Sequence, residues 1–143
     1  MPRPAHLRTT AAATGLLAIA GLHVLWATGS PWPCATEEEL ADLVVGRVHG
    51  PVPPPAACLA VAGALTVAAT GVAGRPRARP GVARLLAAST VAVLTVRGAA
   101  GLAGRTDVLS PGSSSPRFRW QDRRLYAPLC LALAAGSLPA VRR

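Results

Sequence analysis

Arg97 is the residue with most chemistry to explain, because it stands inside an apolar run, with residues 91–96 before it and 98–103 after it. An unpaired arginine in hydrocarbon costs at least about 2.5 kcal/mol, so it should face other helices and find partners there. Snorkelling is the alternative, since Arg97 lies about five residues, roughly 7.5 Å by helical rise, from the nearer end of the run. Four other side chains are expected at that same depth. His23 and Trp26 lie near the end of the first apolar run, and Asp122 and Tyr126 lie at the start of the last. Spacings of three and four put each pair on one helix face. Asp122, three residues before the last apolar run, is the best partner for Arg97. Such a pair could simply tie two helices together, or Asp122 could cap the last helix. An imidazole beside a carboxylate and a phenol could move protons. A guanidinium flanked by Trp26 and Trp32 could instead hold an anionic group at an interface.

No motif names a reaction. The sequence has no activated-serine motif, no H-E-x-x-H, no phosphate-cradling glycine loop and no dinucleotide fingerprint, so no catalytic residue and no cofactor is assigned. Cys34, Cys58 and Cys130 form no C-x-x-C pair and no metal-ligand spacing with the histidines, so no metal is expected either. Buried, inert thiols are the default for all three. A Cys34–Cys58 disulfide is open if both sit on one side of a membrane.

The elements that must position these groups are four apolar stretches, about 9–29, 56–74, 82–103 and 125–141, in a chain of 143 residues. Lipid offers backbone groups no hydrogen bonds, so such runs must satisfy themselves as helices. The expected fold is all-α, a single membrane domain built as a bundle of four transmembrane helices. A soluble Ala-rich bundle is the competing reading, favoured by a mean hydropathy of only +0.39. Charge spacing argues against it: nothing charged lies between Arg8 and Glu37 or between Arg47 and Arg75. A soluble amphipathic helix shows polar side chains at nearly every turn. The net charge of +9 would suggest nucleic acid in a soluble protein, but here the arginines punctuate apolar spans and no basic-aromatic stripe exists. No nucleic-acid partner is therefore expected.

Arginine placement also sets orientation. The short connector with Arg75, Arg77, Arg79 and Arg84 belongs in the cytoplasm, which puts both termini inside, with Arg3, Arg8, Arg142 and Arg143. The stretch from Arg105 to Arg124, with five arginines, would then lie outside and disagrees with the bias. A signal-peptide reading of the N-terminus is open on its small-x-small site at Ala27 and Gly29, but the first span is expected to remain as a membrane helix.

In the first outer loop, Thr36 followed by Glu39 has capping-box spacing and opens a short interfacial helix carrying Leu40, Leu43, Val44 and Arg47. Its acidic first turn suits the positive helix end better than it suits a bound cation. Residues 50–55 form a stiff extended linker. The Ser110, Pro111, Gly112 and Ser113–Ser115 segment is expected to be a flexible tip, followed by an amphipathic approach to the membrane through Arg117, Phe118, Arg119 and Trp120. Helix contacts should use small residues: Gly63, Thr66, Thr70 and Gly74 on the second span, Gly101 and Gly104 at the outer end of the third. Pro128 must either sit in the first turn of the last helix or kink it.

The cluster Trp26, Gly29, Trp32 and Pro33, the arginine in the third span, and the run Phe118, Asp122, Leu125, Tyr126, Pro128, Leu129 and Cys130 together resemble the small four-helix bacterial membrane proteins of the DUF3995 family, over essentially the whole chain. The resemblance implies a shared four-span architecture. It carries over no catalytic role.

These observations support two main readings. In the first, His23, Trp26, Trp32, Arg97, Asp122 and Tyr126 line an outer-leaflet pocket that binds a lipid headgroup or small amphiphile, with membrane lipids as the surrounding partner and Arg97 supplying charge to an anionic group. In the second, the chain is a small intramembrane isomerase or hydrolase using His23 or Asp122 as acid or base. Transport needs polar residues through the whole thickness, and the inner halves of these spans offer only Thr and Ser. Oligomeric state is not encoded in any of these features.

Overall fold

A computed structural model of the chain describes residues 4–47, 53–74, 79–113 and 115–142. Residues 50–52 of the 50–55 linker, Arg75 and Arg77 of the short connector, Ser114, Arg3 and Arg143 lie outside the described residues. Four long helices dominate: α1 (Pro4–Ala27), α3 (Pro55–Ala73), α4 (Pro80–Leu102), and a final one assembled from α6 (Pro116–Gln121), a π-helical turn (Asp122–Tyr126) and α7 (Ala127–Val141). Two short helices, α2 (Glu37–Val44) and α5 (Thr106–Leu109), lie in the connections. The ends follow local chemistry. Prolines at the first turn of α3, α4 and α6 preset helical φ and lack the N–H that would go unpaired there. Gly74, at φ 65°, ends α3 in the left-handed conformation.

The fourth helix starts nine residues earlier than the apolar run suggests. Ser115 caps it, its hydroxyl accepting from the Phe118 N–H at 3.3 Å. Asp122 is thus interior to a helix and does not cap one. Pro128 follows directly on the π-helical turn, in which the Ala127 N–H bonds the Asp122 carbonyl five residues back. A proline inside a helix removes one donor and crowds the carbonyl four residues before it, and one widened turn relieves both problems without breaking the helix.

The long helices pack in a ring in which α1 lies against α3 and α7, and α4 against α3 and α7. Two halves of the bundle differ. Toward the chain termini, Ala12, Ala13 and Leu16 interlock with Ala69, Val72 and Leu133 in a closed core. Toward α2 the helices border a cavity. Only 22% to 28% of residues are buried in the most apolar stretch of each long helix. Leu17, Val24, Leu59, Val67, Leu85 and Val93 are among those that point outward. A soluble bundle would put polar groups there, so this surface suits a multi-pass membrane protein: among the described residues four helices are long and apolar enough to cross a bilayer.

Close contacts do use small residues, but not the expected ones on the second span. Gly63 and Thr66 are exposed, and the hydroxyls of Thr66 and Thr70 bond carbonyls of their own helix, Ala62 at 2.8 Å and Val67 at 2.7 Å. A back-bonded hydroxyl needs no partner helix, so this face can point away from the bundle. The packing face of α3 carries Cys58, Ala62, Ala69 and Val72 instead. On α4 the expectation for Gly101 holds: a Cβ there would stand 2.7 Å from that of Ala127.

Candidate functional site

The first span ends by placing His23 and Trp26 edge to face, ring centroids 4.9 Å apart. His23 Nδ1 lies 2.9 Å from the Ile19 carbonyl. A carbonyl only accepts, so Nδ1 carries the proton, and Nε2 has no partner among the described residues. The Trp26 indole N–H donates to the Trp32 carbonyl at 2.8 Å and folds the connection back onto the helix end.

Above these groups lies α2. Thr36 accepts from the Glu39 N–H at 3.2 Å, while the Glu39 carboxylate accepts from the Ala35 N–H at 3.1 Å. This is the expected capping box with its return bond one residue further back. The far end of α2 is held by the second long connection. Its terminal carbonyls have no intrahelical donors, and three are met from outside: Leu43 by the Tyr126 hydroxyl at 3.2 Å, Val45 by the Ser113 hydroxyl at 2.6 Å, Gly46 by the Ser115 N–H at 3.1 Å. Phe118 packs under Gly46, whose φ of 78° no bulkier residue adopts comfortably. Within the segment expected as a flexible tip, Ser113 and Ser115 are buried, because unpaired carbonyls recruit them, while Pro111 and Gly112 are exposed.

Arg97 reaches Asp122 as expected, NH2 donating to Oδ1 at 2.7 Å. The second carboxylate oxygen accepts from the Thr106 hydroxyl on α5. Asp122 is 1% exposed. Arg97 is thus internal and paired, not snorkelling, although its NH1 is buried with no acceptor. Gly101 makes the pair possible, since a Cβ at that position would lie 2.9 Å from both Arg97 NH1 and Asp122 Oδ2.

These elements enclose a cavity of about 600 Å³. α1 contributes Ile19, Leu22, His23 and Trp26; α2 contributes Glu37, Leu40 and Val44; α3 contributes Ala57, Cys58 and Val61. Arg97, Tyr126, Leu129 and Cys130 close the other side. Four of the six expected site residues meet there: His23, Trp26, Arg97 and Tyr126. Two do not. Trp32 offers its carbonyl to Trp26 and turns an exposed side chain outward, and Asp122 sits behind Arg97, outside the lining.

Thr106, which holds Asp122 from behind, and the cavity-facing side of α2 were not assigned to the site from sequence, and Glu37, read there as part of a capped acidic first turn, stands in the cavity lining. Thr106 follows the end of α4 in a connection with no periodic signal, and Leu40 and Val44 read equally well as an interfacial stripe. All three cysteines are free thiols, so Cys34 and Cys58 form no disulfide, and Cys58 and Cys130 line the cavity. Among the described residues no three His, Cys, Asp or Glu side chains converge as a metal site would require. Chemically, the chamber can hold a small, mainly apolar molecule and offer it a few polar contacts.

No curated protein and no solved structure matches the chain. A family model described as "Protein of unknown function (DUF3995)" matches residues 16–137, a segment that contains α3 and α4 whole, half of α1, most of the last helix and every residue of the site. The resemblance read from the tryptophan cluster and the terminal run is thereby established, and the chain belongs to the DUF3995 family.

Proposed function

We propose that this protein binds a small amphiphile in the cavity beneath α2, with the apolar body against Ile19, Leu22, Val61 and Leu129 and the polar end near His23 and Arg97. The observation that carries the reading is a chamber of about 600 Å³ in the half of the bundle nearest α2. Small-molecule sites occupy about 300–1,000 Å³, with apolar walls and a few placed polar groups. Both termini lie in the cytoplasm in this proposal, on the strength of the arginine-rich short connector, so the chamber opens in the outer half of the bilayer.

The test is co-purification. Mass spectrometry of small molecules retained by the detergent-purified protein should find a species enriched over the bulk lipid extract. It should be reduced in Cys58→Phe, whose larger ring takes up part of the chamber, while circular dichroism and thermal unfolding report that this variant is folded. Equal retention by a folded Cys58→Phe protein would overturn the proposal.

A second reading, an intramembrane isomerase or hydrolase, keeps one supporting observation: His23 is anchored through Nδ1 and leaves Nε2 free to exchange a proton with a molecule in the cavity. Asp122 drops out as its acid or base, being covered by Arg97 and Thr106. Under this reading the retained molecule is turned over with a pH dependence that His23→Ala abolishes.

A further inference from the structure

We infer that the polar end of the molecule held in the cavity carries no net charge, and is a hydroxyl or carbonyl group on an apolar body. This rests on the amphiphile reading above and narrows it. An arginine in a cavity wall ordinarily selects an anion, but here the guanidinium already faces a counter-ion at 2.7 Å. Asp122 is buried and holds its second oxygen on Thr106, so it cannot swing away to release the arginine. An anion entering the chamber would gain from Arg97 and lose to Asp122 just behind it.

A cation fares no better. Glu37 is exposed and so screened by solvent, and against the apolar walls of Leu22, Val61 and Leu129 an ammonium group would lose hydration without gaining an acceptor. What the wall offers is hydrogen bonding without net charge. Arg97 lines the chamber and gives Asp122 only one of its N–H groups, and His23, with Nδ1 held by the Ile19 carbonyl, presents Nε2. A hydroxyl can use both, and a carbonyl the first. The anionic headgroup expected from Arg97 alone is therefore set aside, because the arginine's charge is spent inside the protein.

The experiment measures binding of tritiated decan-1-ol, decyl sulfate and decyltrimethylammonium to the full chain in nanodiscs, counting only the component displaced by excess unlabelled probe. Decan-1-ol should bind saturably and about tenfold or more tighter than either ion. Asp122→Asn keeps the shape and removes the counter-charge, and should raise affinity for decyl sulfate by about tenfold or more. Tighter binding of decyl sulfate than of decan-1-ol to the wild-type protein would overturn the charge inference and leave the amphiphile reading standing. A folded Asp122→Asn protein with unchanged preference would overturn it as well. No saturable component for any of the three probes would remove the amphiphile reading, and the inference with it.

Discussion

Arg97 and Asp122, 25 residues apart in sequence, meet at 2.7 Å across the contact between α4 and the π-helical turn. Because the carboxylate is fully buried, taking away the arginine strands a charge rather than merely losing a contact. Breaking a buried pair from one side costs about 3–5 kcal/mol, whereas replacing both partners by apolar groups is often neutral. Arg97→Met should therefore destabilise the protein by that amount in an SDS unfolding titration, and Arg97→Met with Asp122→Leu should recover most of the loss. A single variant as stable as wild type would show that the pair holds nothing together.

Gly101 and Gly63 separate packing glycines from idle ones. A Cβ at Gly101 would meet Ala127, Arg97 and Asp122 within 2.9 Å, and one at Gly63 would meet nothing within 4 Å. Overpacking costs about 1–3 kcal/mol, so Gly101→Ala should lower stability by that much. Gly63→Ala should leave it unchanged or raise it by up to about 1 kcal/mol, since alanine loses less backbone freedom in a helix. Thermal unfolding in detergent distinguishes the two, and equal effects would contradict the contact geometry.

The architecture was legible where one physical rule dominates. Uncharged runs long enough to cross lipid must be helices, and the four runs are. Arg97 and Asp122 were legible as a pair because lipid leaves a buried arginine few alternatives. The start of the fourth helix was missed because hydropathy sees only the apolar part. The signal was present in Ser115 followed by Pro116, a cap and first-turn proline that announce a helix whatever its polarity. The α3 packing face was misjudged since threonine hydroxyls satisfied within their own turn look, in sequence, like hydroxyls seeking another helix. The cavity was not legible at all. Whether Leu40 and Val44 of α2 face a membrane surface or roof a chamber depends on three long-range hydrogen bonds that no local pattern encodes.

The cysteines give a direct chemical check. With Cys34, Cys58 and Cys130 all free, protein purified without reductant and denatured in SDS should titrate three thiols against Ellman's reagent. In the folded protein Cys58 is buried and should react more slowly than Cys34, with the order tested by Cys34→Ser. One thiol in the denatured protein would mean a disulfide, and would place two of these residues in contact.

Finally, the roof over the cavity should loosen when its pins are cut. Tyr126→Phe removes the hydroxyl that donates to the Leu43 carbonyl, and Ser113→Ala removes the one that donates to Val45 and accepts from Ser110. A neutral hydrogen bond contributes about 0.5–1.5 kcal/mol, which corresponds to roughly 2- to 12-fold in a local opening equilibrium. Hydrogen exchange at the amides of Val45 and Gly46, which bond the Ala41 carbonyl, should accelerate within that range in each variant. Exchange in α1 and α3 should stay constant, because the closed core at the other end of the bundle shares no bond with α2. Acceleration spread equally over all helices would instead mean that these hydroxyls support the bundle as a whole, and that α2 does not open as a separate unit.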